Sequence, residues 1–182
     1  MKKVYLFLAY GFEEVEALTT VDLLRRAGIE VITVSISSSN AVTGAHSIPV
    51  IADIKLDESS FDDADAVVLP GGLPGVDNLG ACEKLLNIIK SNYESGKYVC
   101  AICAAPMILG KMGILKGKKA TSYPGCEGAL LGADISEDKV CTDGNIITSR
   151  GVGTAIDFAC EIIKTLAGQE KSAEIRKSVL AD

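Results

Sequence analysis

"KYVCAICAAP", residues 97–106, joins the pattern of a buried strand to the start of a helix. The run up to Cys103 is apolar and rich in strand-forming residues, and Pro106 suits the first turn of a helix. Ala101 and Ala105 stand two residues before and two residues after Cys103, where a sharp strand-to-helix turn requires small side chains. The stretch therefore predicts a nucleophile elbow with Cys103 at its tip.

The elbow predicts a reactive sulfur. A helix N-terminus beneath Cys103 would favour thiolate over thiol and lower the pKa from its free value of about 8.5. Backbone N–H groups after Cys103, with those of the Gly71-Gly72 turn if the two strands are neighbours, would form an anion hole. On spacing alone, a buried cysteine without chemistry is an equally good interpretation.

A thioredoxin-like C-x-x-C pair of Cys100 and Cys103 is a rival interpretation. Along an extended strand their Cα atoms would lie about 10 Å apart on opposite faces. A disulfide tolerates about 7 Å, so this pairing is disfavoured. The remaining cysteines lack zinc-like spacing and are interpreted as packing or surface thiols; they are Cys82, Cys126, Cys141 and Cys160. No metal or other cofactor is expected.

Short apolar runs alternate with helical patterns along the chain. The runs lie at residues 3–10, 30–37, 64–70, 97–103 and 145–150, and the helical patterns at 13–27, 82–95, 106–112, 154–166 and 172–180. This alternation predicts an α/β fold with a mostly parallel sheet, helices on both faces, and an active site at the carboxyl ends of the strands. Further short strands are expected within residues 42–52 and 118–128 and around an Asp143-Gly144 hairpin turn.

Composition limits the classes of function. The 182 residues predict a single domain over residues 1–182, and 18 Lys and Arg against 24 Asp and Glu give a net charge of −6, which argues against a nucleic-acid partner. No apolar run approaches the roughly 18 residues of a membrane span, and the opening residues read as a first strand rather than a signal peptide. Six irregularly spaced cysteines indicate a reducing compartment, so a cytoplasmic protein is predicted.

Glu16 is the unusual acid of the first helical pattern. At about 100° per residue it falls within the apolar arc, between Leu23 and Ala27. Glu14 lies at the border of that arc, and Glu13 is explained as a first-turn acid facing the helix dipole. A carboxyl group in such a place stays protonated or finds a hydrogen-bonding partner. On this evidence a side chain that reaches solvent or caps a loop is as good an interpretation as a functional acid.

Four stretches occur in order and in register with these elements: "YGFEEVEA", "VVLPGG", "AICAAP" and "TSRGVGTAIDFA". With them the chain resembles the ThiJ/PfpI superfamily, specifically its DJ-one branch, over essentially its whole length. The resemblance implies a flavodoxin-like three-layer sandwich and a homodimer. It also implies that Cys103 is the nucleophilic and oxidisable cysteine and that Glu16 hydrogen-bonds its sulfur, with the backbone N–H groups of Gly72 and Ala104 facing the sulfur site.

Two departures from the superfamily patterns bear on function. Ala104 follows the nucleophile where the peptidase branch carries His, so a Cys-His pairing is not available there and proteolysis is not expected. Tyr123 stands where several DJ-one relatives place a nearby His, and a phenol with a pKa near 10 is a poor base at neutral pH. General-base chemistry would then fall to Glu16.

Other positions are assigned more weakly. His46 lies where relatives supply a basic residue near the dimer interface, and it is interpreted either as an exposed loop residue or as part of the site. Arg150 matches a family position and is read either as a structural salt bridge or as a substrate contact. Ile156 occupies the third glycine's place in a G-x-G-x-x-G pattern, which argues against dinucleotide binding.

The resemblance implies an enzyme that acts on a small aldehyde: a glutathione-independent glyoxalase or deglycase for α-oxoaldehydes such as methylglyoxal. The alternative is an oxidative-stress sensor or chaperone-like protein in which Cys103 oxidises to sulfinate and turnover is incidental. A role in thiazole or thiamine metabolism, suggested by the name ThiJ, finds no independent support in these residues.

Overall fold

The protein is built around one seven-stranded sheet, seen in a computed structural model that describes residues 1–181. The strands in chain order are β1 (Lys3–Leu8), β2 (Glu30–Ser35), β3 (Ala41–Thr43), β4 (Pro49–Ile51), β5 (Ile54–Lys55), β6 (Ala66–Leu69), β7 (Tyr98–Ile102), β8 (Lys119–Ala120), β9 (Asp134–Ile135), β10 (Val140–Asp143) and β11 (Ile146–Ser149). The α-helices are α1 (Glu14–Arg26), α2 (Gly75–Gly80), α3 (Glu83–Glu94), α4 (Pro106–Lys111), α5 (Ala155–Ala167) and α6 (Gln169–Ser178).

The order of strands in the main sheet is β10-β11-β7-β6-β1-β2-β5. Every neighbouring pair is parallel except β10 and β11, which form an antiparallel hairpin at one edge. Numbered along the chain, the five central strands run 2-1-3-4-5, which is the flavodoxin-like order. Strands β3 and β4 form a separate two-stranded hairpin, and β8 pairs with β9.

Alternating side chains of the strands feed two apolar cores, one on each face of the sheet. Tyr5 and Phe7 point into the core covered by α2, α3 and α4, whereas Leu6 and Leu8 point into the core covered by α1, α5 and α6. Period-two alternation of this kind places successive side chains on opposite faces of a sheet. The result is three layers, helix–sheet–helix, and the flavodoxin-like three-layer sandwich expected from the sequence is confirmed.

All five expected main strands and all five expected helices are present, with ends that differ by a few residues. The fifth helix begins three residues earlier than expected, at Gln169, because Gly168 ends α5 and starts α6 with φ +95°. The antiparallel turn after Asp143 is confirmed, with Gly144 at φ +59°. The single domain over residues 1–182 stays a prediction.

Sequence periodicity missed helix α2 and the short strands β5 and β9. Helix α2 has six residues and begins and ends with glycine, so it offers little helical pattern and low helix propensity. Strands β5 and β9 have two residues each, too few for an alternation to show. None of the helices within residues 1–181 has the length and apolar character needed to traverse a bilayer.

Candidate active site

Cys103 lies directly after β7, at the carboxyl end of the parallel sheet. Its φ is +64°, a left-handed conformation that residues other than glycine adopt rarely. The turn is held by hydrogen bonds from the Cys103 N–H to the Ser149 carbonyl at 2.9 Å and from the Tyr123 N–H to the Cys103 carbonyl at 2.8 Å. Ala101 and Ala105 are fully buried beside it. The sharp strand-to-helix turn expected from their spacing is therefore present.

The turn after β6 approaches the sulfur from the neighbouring strand. Strands β6 and β7 pair in parallel, which brings Gly71 and Gly72 beside Cys103. A Cβ added at Gly71 would lie 2.5 Å from Cys103 Cβ and 2.6 Å from Glu16 Oε2, so glycine is required by space. Gly72 adopts φ +89°, and the backbone N–H groups of Gly72 and Ala104 lie close enough to the sulfur to lower the pKa of the thiol. Both donors lie where the sequence analysis expected an anion hole, and that role stays a prediction.

Glu16 projects from the first turn of α1 into the space beside Cys103 and is fully buried. Its Oε2 accepts a hydrogen bond from the Gly71 N–H at 2.8 Å, whereas no group within residues 1–181 pairs with its Oε1. Burial raises the pKa of Glu16 to about 7, and the hydrogen bonds from Gly71 and Cys103 oppose that rise. Glu16 therefore carries a proton for much of its time near neutral pH.

The expected lowering of the Cys103 pKa is wrong. Burial, followed by the charge of Glu16, raises the pKa of the thiol to about 12, and the N–H groups of Ala104 and Gly72 act in the opposite direction with smaller effect. The helix expected to favour the thiolate, α4, is a single short segment of six residues. Loss of water around the sulfur outweighs its dipole and the two donors.

Cys103 and Glu16 titrate as a pair because they are adjacent and both are largely removed from water. Near neutral pH the pair holds at most one negative charge. That charge rests on the carboxylate when the thiol is protonated, or on the sulfur when the carboxyl is protonated. Moving one proton between the two side chains converts the first form into the second. A thiolate formed in this way needs no removal of a proton to bulk solvent.

The pair opens into a cavity of about 820 Å³. This cavity brings together most of the residues singled out from the sequence: Cys103, Glu16, Gly72, Tyr123, His46 and Arg150 all line it. Ala104 contributes its N–H group at the sulfur. Val15, Ile48 and Val152 add apolar surface to the walls. The carboxyl ends of the central strands, the β3–β4 hairpin and the loop after β8 therefore converge on one site.

His46 occupies the tip of the β3–β4 hairpin with a side chain 69% exposed. Its Nδ1 lies 2.9 Å from Glu14 Oε2 and 3.5 Å from Glu13 Oε2. The hydrogen bond to Glu14 raises the pKa of His46. The sequence left His46 as either an exposed loop residue or part of the site. In the structure it is exposed and also lines the cavity.

Glu14 is a residue that sequence reasoning underrated. Placed at the border of the apolar arc, it is in fact buried, and its carboxylate accepts hydrogen bonds from the His46 N–H at 2.8 Å and the Ile48 N–H at 3.4 Å. These bonds fix the hairpin tip against α1. Glu13 is the N-cap of α1 and accepts from the Val15 N–H. The partners of Glu14 lie more than 30 positions away along the chain, so no local pattern could have revealed them.

Arg150 donates a hydrogen bond from Nη1 to the Glu137 carbonyl at 2.8 Å. It makes no ion pair with any residue in the described part of the chain, so the salt-bridge interpretation finds no support there. Among residues 1–181, the side chains best grouped as metal ligands are Glu13, Glu14 and His46, whose ligand atoms lie within 4.8 Å of one another. Hydrogen bonding between His46 and Glu14 accounts for that proximity, and absence of a metal stays a prediction.

Residues 2–165, which contain the elbow, the paired acid and the flavodoxin-like sheet, match the model of the DJ-1/PfpI family. The chain belongs to the DJ-1/PfpI family. It is 39% identical to the protein dj-1beta of Drosophila melanogaster over 98% of this chain and 97% of that protein. It is 40% identical to the DJ-1 homolog B of Arabidopsis thaliana over 95% of this chain, which spans 40% of that longer protein.

Two further similarities bear on fold and chemistry. A structure of Toxoplasma gondii DJ-1 in its oxidized form superposes with a TM-score of 0.95 at 32% identity and covers 99% of this chain and 98% of that one. A protein named as a deglycase from Pyrococcus abyssi is 34% identical over 90% of this chain and 99% of its own length. This DJ-1/PfpI member carries Ala104 and Tyr123 where Cys-His chemistry would need histidine, so Glu16 is the titratable group adjacent to the sulfur.

Replacing Gly71 by alanine is expected to disrupt the site. The added Cβ meets Cys103 and Glu16 at distances that real Cβ atoms do not show, so one side chain must move. We expect the free energy of unfolding of Gly71→Ala to fall by about 1–3 kcal/mol, as in other overpacked positions. Gly80→Ala is the control, because its nearest neighbour would be 3.6 Å away. Urea unfolding measures both, and an unchanged stability of Gly71→Ala would contradict the crowding.

Stability is expected to depend on pH through Glu16. Its pKa rises from 4.5 in the unfolded chain to about 7 in the folded protein, so between these values the folded state keeps a proton that the unfolded state has lost. The free energy of unfolding therefore falls as pH rises through this window, by up to about 3 kcal/mol, and levels off above it.

Glu16→Gln removes this titration. Urea unfolding at about pH 5 and about pH 7.5 should show a smaller decrease for the variant than for the wild type. His46 titrates in both proteins and cancels in the comparison. Equal pH dependence in the two proteins would show that Glu16 ionises normally.

Proposed function

We propose that the protein is a glutathione-independent glyoxalase or deglycase-type enzyme that acts on α-oxoaldehydes such as methylglyoxal. One observation carries the proposal: the Cys103 sulfur and a carboxyl group with a pKa of about 7 lie side by side at the base of an open cavity. A general acid–base is most effective when its pKa lies near the working pH. The relative named as a deglycase adds support.

The first step uses the internal proton transfer. Glu16 takes the thiol proton as Cys103 adds to the aldehyde carbon, which forms a C–S bond and turns the carbonyl oxygen into the oxyanion of a hemithioacetal. The N–H groups of Gly72 and Ala104 already point at the sulfur and would donate to that oxygen. Proton return from Glu16 to the oxyanion completes the hemithioacetal and restores the carboxylate.

The second step moves a proton between the two substrate carbons. Glu16 removes the proton from the former aldehyde carbon to give an enediolate, then returns it to the neighbouring carbon, while the hydroxyl proton of the first carbon passes to the oxygen of the second. The first carbon is thereby oxidised and the second reduced, which leaves a thioester of a 2-hydroxy acid on Cys103. Water then hydrolyses the thioester and releases the acid and the free thiol. The sum is aldehyde plus water to 2-hydroxy acid, and the route uses no cofactor.

Lactate formation from methylglyoxal tests the proposal. We expect the wild type to produce lactate without glutathione, and Cys103→Ala and Glu16→Gln each to lose at least about 100-fold in kcat/KM, the scale of a lost nucleophile or general base. Cys82→Ala, a partly exposed cysteine outside the cavity, is the control and should keep full activity. An active Cys103→Ala variant would sink the mechanism.

A second candidate function is oxidative sensing. Cys103 is accessible from the cavity, and the two N–H groups that would hold an oxyanion would equally hold the oxygens of a sulfinate. The protonated form of Glu16 would donate a hydrogen bond to one of these oxygens. One relative of similar fold is named as oxidized. In this function the same donors stabilise an oxidised sulfur instead of a reaction intermediate.

Mild peroxide treatment separates the two functions. Under the sensor hypothesis intact mass gains two oxygen atoms, and peptide mapping places both on Cys103, while lactate formation by untreated protein is negligible. The five other cysteines serve as internal controls for general oxidation. Oxidation spread over several cysteines would argue against a sensor.

We also propose that the protein is a cytoplasmic homodimer. Val15 and Leu18 lie one turn apart on α1 and are both substantially exposed, and an exposed apolar stripe on a helix is typical of an interaction surface. All six cysteines are free thiols, in keeping with a reducing compartment.

A further inference from the structure

The cavity is larger than methylglyoxal requires. Its volume of about 820 Å³ falls within the range of about 300–1,000 Å³ that holds drug-sized ligands. The reacting atoms need the corner formed by Cys103, Glu16 and Gly72. In the single chain the rest of the space is open to the part of the substrate that does not react.

The walls beyond that corner are mainly apolar. Ile48 from the hairpin tip, Val152 from the loop after β11 and Tyr123 from the loop after β8 each expose about half of their surface and all line the cavity. The acidic groups of the opposite wall, Glu13 and Glu14, face His46, so their charge is partly compensated. A substrate substituent that reached this space would contact apolar side chains more than unpaired charged groups.

Tyr123 is held in a fixed place relative to the reacting pair. Its N–H donates to the Cys103 carbonyl and its carbonyl accepts from the Cys126 N–H at 3.0 Å. Its ring packs on Gly151, where a Cβ would lie 3.3 Å from Cδ2 of the ring and 3.8 Å from Glu16 Oε1. The ring therefore stands across Gly151 from the carboxyl of Glu16. Its hydroxyl makes no hydrogen bond within residues 1–181, so the ring surface is what it offers to a ligand.

We propose that Tyr123 is a specificity-determining residue that selects 2-oxoaldehydes with a bulky apolar substituent over methylglyoxal. The proposal rests on the proposed function for its reaction. The substituent would lie between the Tyr123 ring and the Ile48 and Val152 side chains, with the aldehyde at Cys103. Burial of apolar substrate surface against these three side chains lowers the free energy of the bound states. Discrimination of about 10- to 200-fold is typical of such apolar pockets.

The test compares kcat/KM for isobutylglyoxal and methylglyoxal, with each product 2-hydroxy acid measured by chromatography. We expect the wild type to prefer isobutylglyoxal by at least about 10-fold, and Tyr123→Ala to lose most of that preference. Tyr123→Phe should keep it, because the ring and not the hydroxyl makes the contact. Tyr10→Ala is the matched control, since Tyr10 is an exposed tyrosine outside this cavity. Equal preference in wild type and Tyr123→Ala would overturn the proposal.

A second measurement keeps the inference separate from the proposed function. If neither aldehyde turns over, the proposed function fails, and selectivity is read instead from alkylation of Cys103 by N-butylmaleimide and N-methylmaleimide, followed by peptide mass. We expect the wild type to react faster with the butyl reagent and Tyr123→Ala to lose that difference, whereas Tyr123→Phe and Tyr10→Ala retain it. Equal rates for the two maleimides in the wild type would refute the apolar subsite independently of any catalysis.

Discussion

The proximity of a buried carboxyl group and a partly buried thiol governs this protein. Cys103 and Glu16 are poorly hydrated, so negative charges on both side chains at once are strongly disfavoured. The surrounding backbone is arranged to meet that condition: Gly71 has no side chain because none would fit, and its N–H binds one carboxylate oxygen. The parallel pairing of β6 with β7 and the position of α1 at their carboxyl ends bring the two acids together. The fold thus holds the two side chains where they can share one proton.

Much of the fold follows from the sequence because its main strands are continuous apolar runs and its longer helices are amphipathic. Helix α2 escaped prediction because six residues bounded by glycines carry almost no periodic signal. For the site, the alanines around Cys103 predicted the turn. The helical position of Glu16 left a functional acid and a solvent-reaching side chain as equal alternatives, and the structure shows a buried side chain. The error in the thiol's acidity has a physical cause. A sequence shows that a helix starts nearby, but it does not show how much water the sulfur loses or that a carboxylate lies beside it.

The role of Glu14 could not be predicted from the local sequence. A helical pattern locates an acid relative to its own helix, whereas the function of Glu14 depends on backbone N–H groups supplied by a hairpin more than 30 positions later. The tip of that hairpin also places His46 and Ile48 at the cavity wall. Contacts of this kind arise from tertiary structure, so three adjacent-looking acids in "FEEVE" have three different environments. Glu13 caps the helix, Glu14 fixes the hairpin, and Glu16 meets the sulfur.

The separate β3–β4 hairpin has an evolutionary consequence. It lies outside the seven-stranded sheet and away from the elbow. Val42 anchors it in the apolar core, and its tip is joined to the rest of the protein through Glu14 and backbone hydrogen bonds, among them Ala45 N–H to the Phe12 carbonyl at 2.8 Å. Sequence drift at its tip can remodel one side of the cavity while the sheet and the Cys103–Glu16 pair remain as they are. Ligand choice can therefore diversify among descendants of this chain faster than reaction chemistry does.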